Sequence, residues 1–214
     1  MMDEVHDGHV DADEQPFPFI GNALALDLIN TDVIVRGRRR DLLSTPAAAA
    51  AWWAVARRRY PDAVAVAGEA AADDRWRDEA TRAELVRLRA GLRAALGAVA
   101  ADQPVGAADL EPINRILRLG QQELDAVPGG EVALMVRPRD AAASGLLLPI
   151  ALSAAWLLAH EDRARLRACE NDRCVAMFLD TSKGAARRWC SEGCMNRARS
   201  ARRYAEVKRT SRPA

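Results

Sequence analysis

Residues 169–194 read CENDRCVAMFLDTSKGAARRWCSEGC, and they hold every cysteine of the 214-residue chain. The spacing is C-x4-C, fifteen intervening residues, then C-x3-C. Zn2+ prefers four tetrahedral ligands, and thiolates suit it. Each short pair can wrap one side of an ion if the residues between them run out and back. The apolar stretch Val175–Leu179 predicts an outgoing strand. Ser182, Lys183 and Gly184 predict a turn. A return strand is then expected to end at Trp189 and Cys190. Neither pair is C-x-x-C, which argues against a redox dithiol. A catalytic zinc needs an open position and usually His or carboxylate ligands. The three histidines are His6 and His9 near the N-terminus and His160, expected at a helix end. The expected site is therefore closed and structural. Cys169, Cys174, Cys190 and Cys194 hold one zinc ion, and binding folds a module too small to hold itself together.

Cys194 is expected to open a helix. On a helical wheel Cys194, Ala198, Ala201 and Ala205 fall within about 40° of one another. Such a stripe of small side chains predicts a helix packed close to the metal and the hairpin, with arginines facing outward. A loop pair, a hairpin and a helix carrying the second pair resemble a treble-clef finger. The helix N-terminus also favours a thiolate.

The charge is distributed unevenly. Residues 183–214 carry ten basic and two acidic side chains, net +8, while the preceding 182 residues are net −7. This split predicts a segment that meets a polyanion and a body that does not. Arg187, Arg188, Arg197, Arg199, Arg202 and Arg203 are the expected phosphate contacts. A solvated arginine face is the plainer alternative. Another is a contact between the acidic N-terminal residues, such as Asp3, Asp7 and Asp11, and the basic finger.

Upstream, residues 1–19 read as a disordered acidic tail. In GNALALDLINTDVIVRG (21–37), Leu24, Leu28 and Ile29 share one helix face, and Asp27, Asn30 and Thr31 share another. Val33–Val35 can extend as strand. Ser44 or Thr45 followed by Pro46 is a helix start, with Trp52 and Trp53 expected in or near the core. Leu85, Leu88, Leu92, Leu96 and Val99 form a stripe at helical spacing, with arginines on the remaining faces. A short helix is expected around Leu110, Ile113 and Leu117. Pro128-Gly129-Gly130 between extended stretches predicts a hairpin, with Val132, Leu134 and Val136 on one face. SGLLLPIALSAAWLLAH (144–160) reads as a buried helix with Pro149 near its start. No apolar run is long enough for a transmembrane helix. The N-terminus lacks the pattern of a secretory signal. A cytoplasmic protein is expected.

The fold class is thus α+β. A mostly helical N-terminal domain with a small β-hairpin (20–162) precedes a treble-clef-like four-Cys finger (163–209) and a short tail (210–214).

The finger resembles the bacterial CGNR zinc-finger family, whose pattern reads F-x-D-x-S, then R-R-W-C, then C-G-N-R-A-K/R. Phe178, Asp180, Ser182, Arg187, Arg188, Trp189, Cys190, Cys194, Asn196, Arg197 and Ala198 match it. Met195 stands where the family has glycine, which puts the local backbone in question. NALALDLINT followed by DLLSTPAAAAAW resembles the ABATE domain that precedes this finger. The resemblance covers roughly residues 20–209. It implies a transcription regulator, with a stress response as its setting. Asp27, Asn30 and Thr31 match the family's L-D-x-x-N-T signature, either as a buried polar network or as the wall of a small-ligand pocket.

The expected function is a DNA-binding regulator that senses or dimerises through its helical body. RNA is a variant, weakened by the few aromatics near the finger (Phe178, Trp189, Tyr204). The competing class is a zinc-scaffolded protein-interaction module. An enzyme is not expected, because no nucleophile and base come together. The effector, the target and the oligomeric state, including a homodimer, stay open.

Overall fold

The computed structural model describes residues 17–65, 74–127, 129–139 and 146–210. The acidic tail before Phe17, with His6 and His9, lies outside them, as does the tail from Ser211. Phe17 and Phe19 are buried, and Phe19 stacks on Trp52. Phe17 and Phe19 therefore do not belong to the expected tail, because two phenylalanines have apolar surface to bury.

The first helix, α1 (Leu24–Ile29), is short and wholly buried. It leads into a two-stranded hairpin, β1 (Asp32–Val35) and β2 (Arg38–Asp41). Helix α2 (Pro46–Arg59) starts as its sequence predicts. Thr45 accepts the Ala48 N–H at 3.2 Å, and Pro46 sits in the first turn. Three arginines close its last turn, where their charge complements the helix dipole. Trp52 and Trp53 are buried, and Trp53 stacks on Trp76 with ring centres 4.2 Å apart. A short helix α3 (Pro61–Ala65) follows.

Helix α4 (Glu79–Ala100) is the spine, and its predicted leucine stripe is fully buried. Not every arginine on it faces water. Arg89 is only 7% exposed and forms a two-pronged bond with Asp41, 2.7 Å on each arm. Helix α5 (Ala107–Leu117) crosses α4 closely at Gly91, where an added Cβ would lie 2.6 Å from the Pro112 ring. Strands β3 (Gly120–Val127) and β4 (Glu131–Pro138) form the predicted hairpin. Its apolar face does not reach the core: Leu124, Val132 and Leu134 are 72%, 67% and 61% exposed. Helix α6 (Leu148–Ala159) then packs on α1, α4 and α5 and ends at His160, but it is buried on one side only: Trp156 is 61% exposed and stacks on His160.

The last part comprises β5 (Leu166–Ala168), β6 (Met177–Leu179) and α7 (Glu192–Thr210). Leu166 and Met177 belong to the same core cluster as the helices. Phe178 belongs to a second, smaller cluster with Cys169, Ala176, Cys190 and Cys194. Side chains alternate across a strand, so β6 serves both cores at once.

Candidate metal centre and the basic face around it

Strand β6 pairs with β5, upstream of the first cysteine pair, in antiparallel register with Arg167 opposite Phe178. The predicted return strand before Cys190 does not form. One backbone bond, from the Glu170 N–H to the Arg188 carbonyl (3.0 Å), and a set of side chains hold that segment instead of a ladder. Asp180 accepts the N–H groups of Ser182 (2.9 Å) and Arg187 (2.7 Å). The Arg187 guanidinium donates to the carbonyls of Trp189 (2.9 Å) and Cys190 and lies 4.6 Å from the Phe178 ring centre. Asp180 is fully buried. Burial opposes its charge, but these bonds outweigh it and hold its carboxyl below the usual range.

The β5–β6 connection therefore carries the first knuckle, Cys169–Cys174. It is closed by the Cys169 N–H to Ala176 carbonyl bond (2.9 Å) and the Cys174 N–H to Asn171 carbonyl bond (2.8 Å). The buried Asn171 donates to the Cys194 carbonyl (2.9 Å) and so ties this knuckle to α7. Ser191 accepts the Cys194 N–H at 3.3 Å and caps the helix start.

The four sulfurs all lie within 4.8 Å of one another. Cys174 and Cys190 Sγ are 3.7 Å apart, and Cys190 and Cys194 Sγ are 3.5 Å apart. A tetrahedron with Zn–S bonds of about 2.3 Å has S···S edges of about 3.8 Å. Backbone N–H groups of Cys190 and Ala176 point at the sulfurs of Cys169 and Cys174, each at 3.5 Å. Arg197 points Nη2 at Cys194 Sγ, 3.0 Å away. Bonds from Cys174 and Cys190 pull Cys169 well below the usual thiol range. The same contacts with Cys169 push Cys174 and Cys190 up. Thiols this crowded cannot all ionise unless a cation neutralises them. The donor set fits one structural zinc ion, with no place left for an open position.

Met195 sits in regular helix, and its N–H bonds the Ser191 carbonyl at 3.1 Å. Positive φ among non-glycine residues occurs elsewhere, as at Ala185. No special backbone angle is demanded at Met195, so replacing the family's glycine leaves the helix start intact.

The alanine stripe reaches less far than its pattern suggests. Cys194 is buried and Ala198 half-buried, but Ala201 is exposed. The finger core is only a few side chains thick, so α7 leaves it after about one turn and runs on into solvent. Arg199, Arg202 and Arg203 are exposed there. Trp189 lies between two guanidinium groups, Arg188 at 5.0 Å and Arg202 at 5.7 Å from its ring centre. Arg188 also pairs with Glu170. The six expected contact residues therefore differ. Arg187 is spent inside the finger, Arg197 faces a sulfur, and Arg188 is ion-paired. Arg199, Arg202 and Arg203 stay on the open face.

Asp27, Asn30 and Thr31 are all buried. Asp27 accepts the Gly21 N–H at 2.6 Å and the Tyr60 hydroxyl. Burial pushes its carboxyl up to about 6, against the pull of those two bonds. Gly21 must be glycine for this contact, since an added Cβ would meet Leu26 Cβ at 2.6 Å. Thr31 donates to the Leu28 carbonyl and accepts from Arg89 at 2.8 Å. Asn30 reaches the finger: it donates to the Met177 carbonyl and accepts the Met177 N–H, both at 2.9 Å. Three more bonds fasten this strand and the residues leading into it. Leu179 N–H donates to the Gly21 carbonyl (2.9 Å), Asn22 to the Leu179 carbonyl (3.0 Å), and Arg93 to the Val175 carbonyl (2.8 Å). Sequence reading missed Asn22, Arg93, Asn171 and Tyr60. The only available signal for Arg93 was its place one turn from Arg89 on α4.

Two family models match the chain. The one described as "Putative stress-induced transcription regulator", ABATE, matches residues 22–161, and the CGNR zinc finger matches residues 165–206. No curated protein matches the chain.

Proposed function

Given that the chain belongs to the ABATE family and ends in a CGNR zinc finger, we propose that it is a DNA-binding transcription regulator. One observation carries the reading: among the described residues of α7 only Cys194 is buried, and the helix leaves a basic surface in solvent. Its 19 residues span about 28 Å at 1.5 Å per residue. A helix of that size fits the major groove of B-DNA. Arg199, Arg202 and Arg203 supply phosphate contacts, with Arg188 and Trp189 at their flank. Arg187 acts one layer in, on the carbonyls of the finger, while Arg197 is exposed and turns its guanidinium to the Cys194 sulfur. The metal ligands are Cys169, Cys174, Cys190 and Cys194. Asp27, Asn30 and Thr31 lie buried beneath, each bonded to its own partners. No helix among the described residues is long and apolar enough to cross a membrane. The reading places the protein in the cytoplasm, beside the DNA. Both matched families are regulatory or zinc-finger families, and the reading contains no catalytic step.

The test is fluorescence anisotropy on duplex DNA across a salt series, with the zinc-loaded chain. Replacing Arg199, Arg202 and Arg203 by Ala should weaken binding and flatten the salt slope by up to about three phosphate contacts. Absence of salt-dependent binding to any duplex contradicts the reading.

A second reading has its own observation. Tyr204 and Val207 on α7 are 74% and 63% exposed. They would suit a protein partner docked along the helix. Replacing both by Ser separates the two: loss of a protein partner with DNA binding unchanged favours the interaction module.

A further inference from the structure

The β3–β4 hairpin stands with its apolar side outward. Leu124, Val132 and Leu134 lie on one face because the register pairs Leu124 with Leu134 and Ala126 with Val132. The opposite face carries the ion pairs of Arg137 with Asp125 and Glu123. Among the described residues the sheet has two strands, so both outer edges offer unpaired backbone groups. An isolated two-stranded hairpin is marginal in water. Gly129 and Gly130 supply the positive φ that its turn requires.

The two edges differ in what they accept. An antiparallel two-fold pairing keeps each face on its own side only when paired residue numbers sum to an even value. Centred on Leu124, a β3–β3 contact sets Glu123 against Asp125 of the other copy, twice. Centred on Glu123, it sets Glu123 against itself. Like charges directly opposite are destabilising, so the β3 edge repels its own copy in both of these registers. The β4 edge does the reverse. Centred on Leu134, it sets Leu134 against Leu134, Val132 against Val136, and Glu131 against Arg137. Residues 131–137 then all pair inside the strand. Glu131 is exposed and makes no ion pair among the described residues. Its complement in this register is the arginine of a second copy.

We infer that the β4 edge is a homodimer interface, where two copies pair antiparallel about Leu134 into one four-stranded sheet. The apolar faces of the two hairpins join across the two-fold axis, and Glu131 meets Arg137 at both ends.

Sedimentation velocity on the full, zinc-loaded chain tests this. The wild type should sediment as a dimer. Leu134→Asp, which places two carboxylates on the axis, should give a monomer with an unchanged circular dichroism spectrum. Glu131→Arg alone and Arg137→Glu alone should each lose the dimer. Arg137→Glu also removes the ion pairs with Asp125 and Glu123, so the decisive arm is the mixture. Equal amounts of the two variants should restore the dimer, because position 131 of each copy then faces the opposite charge at position 137 of the other. A monomeric wild type overturns the inference. So does a dimer that survives Leu134→Asp, or a mixture that stays monomeric.

Discussion

Asn30 meets Met177 with both ends of its side-chain amide, donating to the carbonyl and accepting the N–H, each at 2.9 Å. The side chain thus stands where a neighbouring strand's peptide would. It pairs the inner edge of β6 while β5 pairs the other. The finger is therefore built against the helical body and shares a strand with its core. Replacing Asn30 by Ala leaves two buried backbone groups without partners, which should cost about 2–4 kcal/mol. Urea denaturation reads the loss. Zinc transfer to a chelator should also speed up, since β6 bounds the first knuckle. Unchanged stability would mean that β6 does not need this partner.

Removal of zinc should be felt beyond the finger. Leu166 and Met177 lie in the main core, and Phe178, next to Met177 in the chain, lies in the cysteine core. Loss of the ion frees four crowded thiols and loosens β6, so the helical body loses part of its packing. Chelation, or Cys190→Ser, should lower the melting temperature of the whole chain as one transition. Two separate transitions, with that of the body unmoved, would show an independent finger.

Asp27 makes stability depend on pH with a definite sign. Burial raises its folded-state value to about 6 from an ordinary 3.8. The folded state holds the proton more tightly, so this group's contribution is full below about pH 4 and is lost as pH rises to about 6. The difference approaches about 3 kcal/mol. Asp27→Asn keeps an acceptor for Gly21 and a donor for Tyr60 but cannot ionise. Relative to that variant, the wild type should lose stability from pH 4 to pH 6. Parallel urea midpoints for the two proteins across that range would count against a buried, neutralised carboxyl.

Arg187 and Arg199 should separate structure from binding. The Arg187 guanidinium holds the Trp189 and Cys190 carbonyls and covers Phe178. Its loss should destabilise the finger by about 1–3 kcal/mol and lower DNA affinity only through folding. Arg199 is exposed on α7. Its replacement by Ala should leave the melting temperature in place and weaken DNA binding. Melting curves and anisotropy on the same samples check both. Equal effects of the two changes on both readouts would contradict the division.

What the sequence made legible was local. Cysteine spacing, the Thr45–Pro46 helix start, the leucine stripe of α4 and the turn at Gly129 and Gly130 each depend on neighbours within a few residues. What it hid was long-range. The strand partner of β6 is a three-residue segment, Leu166–Ala168, with no strand signal of its own. Asn30 pairs with Met177 across 147 positions, and nothing near Asn30 specifies that partner. Arg187 reads as one more basic residue until its carbonyl partners are seen. The alanine stripe on α7 has the right period, but the finger core is too thin to use more than its start. Phe17 and Phe19 follow an acidic run that masks their apolar role.

On the proposed reading, the four-thiolate zinc site orders the knuckle, the start of α7 and the inner edge of β6 together. X-ray absorption at the zinc edge of the purified full-length chain tests it most directly. The prediction is one zinc per chain with four sulfur neighbours at about 2.3 Å. A shell containing nitrogen or oxygen, or a folded finger with no zinc, would contradict it.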